Sequence, residues 1–160
     1  MINMEIHNIP PVFDKNSRIL ILGSFPSVKS RKTEFFYGHP QNRFWKVLAA
    51  VINESVPQTI EDKKAFLLRN NIAVWDVIQS CDIQGSSDSS IKNVVPNDIS
   101  KITSSADIQQ IYTNGTTAYN MYKKYIGDNA IKLPSTSPAN AAYSLKRLVE
   151  EWKHLLQASS

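Results

Sequence analysis

The sequence predicts an α/β fold, a three-layer α/β/α sandwich around a short, mainly parallel, four-stranded sheet. Two observations support this: short apolar runs that stop at turn residues, and amphipathic stretches between them. Apolar runs without polar alternation are typical of parallel strands that are covered on both faces. Strands that alternate with helices form a parallel sheet between helical layers. The 160 residues have the length of one ordinary domain, which we expect to span residues 1–160.

The clearest predicted strand is the run RILILG at residues 18–23, which stops at Gly23. Weaker runs with the same character follow at residues 72–75, 108–113 and 130–133. In a parallel sheet of this kind, ligands bind beyond the carboxyl ends of the strands. The loops that follow these four strands are therefore the candidate site.

Helices are predicted by apolar spacings of three and four, at residues 42–52, 60–69, 116–126 and 139–156. The last of them shows the strongest pattern, with one apolar stripe and a charged opposite face. We expect Ser137 to cap this helix and Pro138 to occupy its first position. A helix start at this loop would offer free backbone N–H groups to a phosphate.

Composition narrows the functional classes. The single cysteine cannot form an internal disulfide, and the three histidines lie far apart, so we expect no metal and no cofactor. The glycine motifs of nucleotide binding and the GxSxG motif of hydrolases do not occur. We see neither a membrane span nor a signal peptide, and we expect a cytoplasmic monomer. The net charge of +4 favours a polyanionic partner.

A long loop follows Gly23, and long loops in compact domains are often functional. It contains three consecutive aromatic residues ending at Tyr37. Pro40 suits the first position of the next helix, which would place Asn42 in the first turn with its amide toward the site. The residues alone leave another interpretation open, in which the aromatic residues fill the core and Asn42 is solvated.

Charged residues lie near two of the candidate loops. Asp76 directly follows the second predicted strand, where it is either a functional carboxylate or a cap of the next turn. Lys29 and Arg31 belong to the long first loop. Basic residues beside aromatic ones suit a protein that contacts a nucleic-acid backbone and stacks on bases.

Four segments together resemble a known family. They are GSFP at residues 23–26, FYGHPQNRFWKVL at 36–48, WDVI at 75–78 and LPSTSPAN at 133–140. In this order, and over essentially the whole chain, they resemble the uracil-DNA glycosylase superfamily. The second segment is similar to mismatch-specific uracil/thymine-DNA glycosylases. The first and last together look closer to the hypoxanthine (deoxyinosine) DNA glycosylase branch.

The resemblance implies a monofunctional DNA glycosylase that flips a deaminated base out of DNA and hydrolyses its N-glycosidic bond. Hypoxanthine is the first expected base and uracil the second. Phe25 occupies the position at which the mismatch-specific relatives carry a water-activating asparagine. The resemblance therefore assigns catalysis to Asn42, which would orient the attacking water or stabilise the sugar cation through its carbonyl oxygen.

The resemblance also implies a base pocket and a DNA-binding loop. Tyr37 would stack on the flipped base, while backbone groups of Ser24 and Phe25 would contact its edge. The expected pocket residues are Gly23, Ser24, Phe25, Tyr37 and Asp76. The expected DNA-binding residues are Ser135, Thr136, Ser137, Pro138, Ala139, Lys29 and Arg31.

Two other functions remain open at this level. A catalytically inactive DNA-binding relative is suggested by Phe25, although the intact HPQN at residues 39–42 argues against it. A serine-dependent hydrolase of small molecules would use Ser24 or Ser137 as nucleophile. His39 is the histidine nearest to the expected site and would have to act as its base.

Overall fold

The computed structural model describes residues 3–7 and 9–159, with every side chain among them except those of Asn3, Lys29, Ala158 and Ser159. In chain order the strands are β1 (Asn3–Ile6), β2 (Ile19–Gly23), β3 (Ile72–Asp76), β4 (Ile78–Ile83), β5 (Lys92–Pro96), β6 (Gln110–Asn114) and β7 (Ala130–Leu133). The α-helices are α1 (Val28–Thr33), α2 (Phe44–Ile52), α3 (Ile60–Arg69), α4 (Ser100–Thr103), α5 (Thr116–Tyr125), α6 (Leu145–Trp152) and α7 (Leu155–Ser159).

The four predicted strands form one parallel sheet in the order β3-β2-β6-β7. Every residue of β2 and β3 is buried, as their unbroken apolar runs predict for strands covered on both faces. Helix α3 packs on β3, α5 packs on β6 and β7, and α7 reaches β2. The predicted α/β/α fold around a four-stranded parallel sheet is therefore confirmed.

A second sheet was not predicted. Strands β1, β4 and β5 form an antiparallel sheet in the order β1-β4-β5. Strand β4 buries Ile78, Cys81 and Ile83, and the register between β4 and β5 shifts twice. These irregularities break the strict alternation by which a half-buried strand is recognised in sequence. The turn between β4 and β5 extends toward the loop after β2.

The four predicted helices are present, but the last one, predicted at 139–156, is divided into α6 and α7, and the short helices α1 and α4 were not predicted. Helix α3 has its predicted bounds and α5 ends one residue early, but α2 begins at Phe44 instead of residue 42. Pro40 therefore lies in a turn before α2, not at its first position.

The predicted start of the last helix is wrong. Helix α6 begins at Leu145, where the Ser144 hydroxyl accepts a hydrogen bond from the Arg147 N–H at 3.1 Å. Ser137 and Pro138 lie in a turn instead, and the Ser137 hydroxyl accepts from the Ala139 N–H at 3.1 Å. Hydrogen bonds from Arg43 to the backbone of this segment hold it as a loop. Within residues 3–7 and 9–159, no helix is long and apolar enough to span a bilayer.

Candidate active site

A cavity of about 370 Å³ lies beyond the carboxyl ends of β2, β3 and β6. Its volume falls within the range of about 300–1,000 Å³ that is usual for small-molecule sites. Its walls include most of the residues expected from the sequence, namely Asn42, Gly23, Ser24, Phe25, Tyr37, Asp76, Ser135, Thr136, Ser137, Pro138 and Ala139. The structure thus brings the predicted catalytic residue, the predicted base pocket and the predicted loop together.

Asn42 lies just before α2 and not in its first turn. Its side-chain oxygen Oδ1 accepts one hydrogen bond from the Phe44 backbone N–H at 3.0 Å. A bond to the residue two places on is a local turn that asparagine commonly forms. The same oxygen accepts a second hydrogen bond, from the Thr136 hydroxyl at 2.8 Å. Asn42 is thereby linked to the loop that follows β7.

Thr136 and Asn114 extend this link into the sheet. Thr136 is fully buried, and Asn114 is the last residue of β6. The Asn114 side chain donates from Nδ2 to the Thr136 hydroxyl at 3.0 Å and accepts from the Thr136 N–H at 3.0 Å. The three side chains form one continuous hydrogen-bonded row along the pocket.

Asp76 ends β3 and is 3% exposed. Burial, and to a smaller extent the nearby Asp88 carboxylate, raises the pKa of Asp76 to about 7. Its Oδ2 lies 3.8 Å from Nε2 of His7, whose pKa burial lowers to about 4. Both shifts favour the neutral form, so near pH 7 the pocket carboxyl keeps much of its proton and the imidazole beside it is uncharged.

Tyr37 and Gly23 meet beside this carboxyl. The Tyr37 ring stacks on Phe44 with 3.8 Å between centroids, and its φ of 53° is left-handed. Burial raises the pKa of Tyr37, as does the nearby Asp76, so the phenol stays protonated. One ring face is covered by Phe44, so a base could stack only on the other. A Cβ on Gly23 would lie 2.5 Å from Oδ1 of Asp76, which requires glycine there.

Ser24 and Phe25 form the turn after β2. The carbonyl groups of Gly23 and Ser24 accept hydrogen bonds from the N–H groups of Val77 and Ile78 at 2.8 and 3.0 Å. These contacts fix the turn against the start of β4. Phe25 packs edge-on against His7, with 5.4 Å between ring centroids. Because these carbonyl groups already accept hydrogen bonds, the N–H groups of the turn are the ones left for the predicted contact with a base edge.

The predicted DNA-binding loop is held in place by Arg43. The Arg43 guanidinium donates to the carbonyl groups of Ser137, Asn140 and Tyr143, and the Arg43 N–H donates to the Thr136 carbonyl at 3.1 Å. These bonds engage carbonyl oxygens that would otherwise accept the first hydrogen bonds of a helix. This explains why α6 starts late. The hydroxyl groups of this loop line the pocket, although no helix begins there.

Arg31, one of the two predicted basic contacts, is bonded within the protein. The Arg31 guanidinium donates to the Gly85 carbonyl at 2.6 Å, pairs with Glu5 at 3.5 Å and lies over the Phe25 ring. These contacts give Arg31 a role within the protein, and its contact with DNA stays a prediction. The side chain of Lys29 lies outside the described part of the structure.

Several pocket residues were missed by sequence reasoning. Asn114 carried a usable signal, since it directly follows a predicted strand. Asp88 lies in a polar loop and is exposed, but it accepts a hydrogen bond from the Ser24 hydroxyl at 3.3 Å. His7, which follows β1 in the unpredicted sheet, contacts the pocket residues Asp76 and Phe25, and the sequence offered no clear signal for this placement.

The geometry gives little support to a metal site or to a serine hydrolase. The described residues contain no group of three or more histidine, cysteine or acidic side chains that could hold a metal ion. The Ser24 hydroxyl donates to Asp88, whereas Nδ1 of His39 accepts from the Gln41 N–H at 3.1 Å. Among the described residues, no hydrogen bond joins His39 to Ser24 or Ser137, so the pairing that a serine hydrolase needs is not formed.

Comparison with known proteins agrees with this geometry. The family model described as uracil DNA glycosylase superfamily matches residues 10–157, so the chain belongs to that superfamily. It is 36% identical to a hypoxanthine DNA glycosylase of Methanosarcina acetivorans, over 90% of this chain and 93% of that protein. It is 33% identical to a hypoxanthine DNA glycosylase of Methanosarcina barkeri, over 93% and 96%. A solution NMR structure from M. acetivorans, described as a candidate uracil DNA glycosylase, superposes with TM-score 0.77 at 32% identity, covering 96% of this chain and 99% of that chain.

Proposed function

We propose that this protein is a DNA glycosylase that removes a deaminated base, hypoxanthine first, by hydrolysing its N-glycosidic bond. One observation carries the proposal. A single cavity at the carboxyl ends of the parallel strands combines the Asn42 amide with the buried carboxyl of Asp76. The superfamily membership and the two hypoxanthine DNA glycosylase relatives support the same activity.

The pocket suits a base that has left the DNA stack. An enzyme that acts on a base in duplex DNA must extrude it and then contacts its edge and its faces. Deamination places a carbonyl group beside a ring N–H, an acceptor next to a donor. A neutral carboxyl offers the matching donor and acceptor, and burial keeps Asp76 neutral up to about pH 7. The Tyr37 ring and the N–H groups after Ser24 would complete the contact.

The reaction needs no covalent contribution from the protein. The bond between C1′ and the base nitrogen breaks, and its electron pair leaves with the base. Water attacks C1′ and its proton ends on the base, which yields an abasic site and the free base. Catalysis then rests on positioning and on stabilising the charge that develops on the departing base. Asn42 is the residue that we place in contact with the reacting nucleotide.

DNA contact is assigned to the loop with Ser135, Thr136, Ser137, Pro138 and Ala139, together with Lys29 and Arg31. We further propose that the chain acts as one domain and as a monomer, in the compartment that holds the DNA. A grip on phosphates releases counterions, so binding to duplex should weaken steeply as salt rises.

The test is strand incision on labelled duplexes that carry one deoxyinosine or one deoxyuridine, with alkali to cut abasic sites. Wild-type protein should incise at deoxyinosine, and Asn42→Ala should lose on the order of 100-fold or more in rate, as when a single positioned amide is removed from an oxyanion site. Asn16→Ala is the matched control, because Asn16 is exposed at the amino end of β2, opposite the pocket.

Each outcome is informative. Incision only at deoxyuridine would contradict the substrate and keep the family. Normal duplex binding without incision of either base would contradict the activity and favour the inactive DNA-binding relative. Full activity of Asn42→Ala would contradict the assignment of the catalytic residue.

A further inference from the structure

The direction of each hydrogen bond in the row Asn114–Thr136–Asn42 can be read from the structure. A backbone N–H can only donate, so the Asn42 atom that faces the Phe44 N–H must be the oxygen. The Asn114 atom that faces the Thr136 N–H is an oxygen for the same reason. Two backbone groups thus orient both amides without any assumption about the substrate.

The direction of the Thr136 hydroxyl between the two amides is then fixed. The Asn114 NH2 donates to Oγ1 of Thr136, so the Thr136 hydroxyl proton must point the other way, toward Oδ1 of Asn42. That oxygen now accepts from both Thr136 and Phe44, which uses its two lone pairs. In the described part of the chain, no hydrogen bond is made by the NH2 group of Asn42, a residue that lines the pocket.

We infer that Thr136 and Asn114 are positioning residues that present the Asn42 NH2 group to the departing base as a hydrogen-bond donor. This inference rests on the proposed glycosylase activity. A donor at this place meets a ring nitrogen or carbonyl oxygen of the base, where negative charge grows as the bond to C1′ breaks. Such preorganised donors are among the largest contributions to catalysis.

The inference differs from the role implied by resemblance. An amide that activates water or stabilises a sugar cation would do so through its oxygen. Here that oxygen is already saturated, and the atom left for the substrate is the nitrogen. The resemblance assigns catalysis to Asn42, and the hydrogen-bonded row indicates which end of its amide would act.

Asn42→Asp separates the two roles. Its inner oxygen still accepts from Phe44 and Thr136, but its outer atom becomes an acceptor instead of a donor. We expect Asn42→Asp to lose about 100-fold or more in single-turnover cleavage of deoxyinosine at neutral pH, as Asn42→Ala does. Its rate should rise as pH falls, because a protonated carboxyl can donate again. Wild-type or higher activity of Asn42→Asp at neutral pH would overturn the donor role.

The positioning residues are tested through Asn42. Thr136→Val should lower the single-turnover rate about tenfold with little change in the substrate concentration for half-saturation, and Thr136→Ser should restore it, because serine keeps the hydroxyl. Asn114→Asp should act like Thr136→Val, since its carboxylate draws the Thr136 proton away from Asn42. In an Asn42→Ala background, Thr136→Val should add no further loss. An equal tenfold loss in that background would show a merely structural effect and overturn the inference.

A measurement without substrate separates this inference from the proposed function. In the free protein, the side-chain NH2 signals of Asn42 in ¹⁵N NMR spectra, identified by their loss in Asn42→Asp, should shift in Thr136→Val and stay in place in Thr136→Ser. Signals that ignore Thr136→Val would overturn the positioning. If the signals shift in Thr136→Val but the wild-type protein cleaves neither duplex, the hydrogen-bonded row is upheld. The proposed function and the donor role toward a base would then be contradicted.

Discussion

The pocket has two sides that differ in how fully the protein satisfies their polar groups. On the amide side, Asn42, Thr136 and Asn114 bond to one another and to backbone N–H groups. On the acid side, Oδ2 of Asp76 and Nδ1 of His7 are buried without a hydrogen bond in the described part of the chain. The Tyr37 hydroxyl lies near the Asn114 amide without a well-formed hydrogen bond.

We interpret this difference in terms of the proposed function. A buried polar group without a partner costs about 1–3 kcal/mol, so proteins keep such groups where a ligand can supply the partner. The acid side is suited to bind a base, because its hydrogen bonds are still to be made. The amide side is suited to hold one donor in a single direction, because its other atoms are already bonded.

Gly23→Ala should break the acid side and has the largest expected effect. The new Cβ would lie 2.5 Å from Oδ1 of Asp76 and 3.1 Å from the Tyr37 hydroxyl, so both must move. Displacement of this size costs about 100-fold in activity, which single-turnover cleavage of deoxyinosine will measure. Gly127→Ala is the control, because its Cβ would meet nothing nearer than 3.4 Å. Equal activity of both variants would show that the acid side tolerates displacement.

Asp76→Asn should change how the free energy of unfolding depends on pH, which tests the neutral carboxyl of the acid side. The pKa of Asp76 rises from 3.8 in the unfolded chain to about 7 in the folded protein. The folded state therefore holds the proton longer, and its free energy of unfolding falls as pH rises through that window and is constant above it. Asparagine does not titrate. Relative to wild type, Asp76→Asn should gain on the order of 2 kcal/mol between about pH 5 and about pH 8 in urea unfolding.

The exposed Asp107→Asn is the control for that measurement, and it should follow the wild type across the same pH range. The titration of His7, whose pKa is lowered to about 4, has the opposite sign, since it removes stability as pH falls below its usual value. The difference between variant and wild type cancels this shared contribution to first order. A flat difference would show that Asp76 keeps an ordinary pKa.

The same residue should control the pH profile of activity. If the neutral carboxyl binds the base, wild-type cleavage should fall about tenfold per unit above about pH 7, as the proton leaves Asp76. Asp76→Asn keeps a donor beside an acceptor and should keep activity at pH values where wild type declines. Profiles of single-turnover rate against pH will measure this. Parallel profiles for the two proteins would contradict the role of the neutral acid.

Arg43→Lys should weaken the amide side with the smallest effect. Lysine cannot bond three carbonyl groups as the guanidinium does, so the loop that carries Thr136 should loosen. We expect about a fivefold loss of cleavage, equivalent to about 1 kcal/mol. Arg18→Lys is the matched control, since Arg18 also donates to backbone carbonyl groups, at the amino end of β2. Equal losses would point to a general loss of stability instead.

The sequence predicted the parts of the molecule that carry a local signal and missed those that depend on distant contacts. The parallel sheet was predicted because apolar runs such as β2 and β3 contain their own signal, and the site followed from the carboxyl ends of the strands. Asp76 was proposed for that reason, whereas the role of Asn42 came from the family resemblance of its segment. The position of His7 beside Asp76 was missed, because an irregular antiparallel sheet brings it there. Ser137 was assigned to a helix that starts at Leu145, since long-range bonds from Arg43 outweigh a local capping pattern.

The sequence by itself determined the fold class, the family and many of the residues at the pocket, because local apolar patterns and short motifs specify these. Only the tertiary structure decided the charge of Asp76 and the direction of the Asn42 amide. Both depend on atoms distant in the chain: a carboxyl loses its charge by burial under other elements, and an amide is oriented by the donors that surround it. No local pattern of residues contains that information.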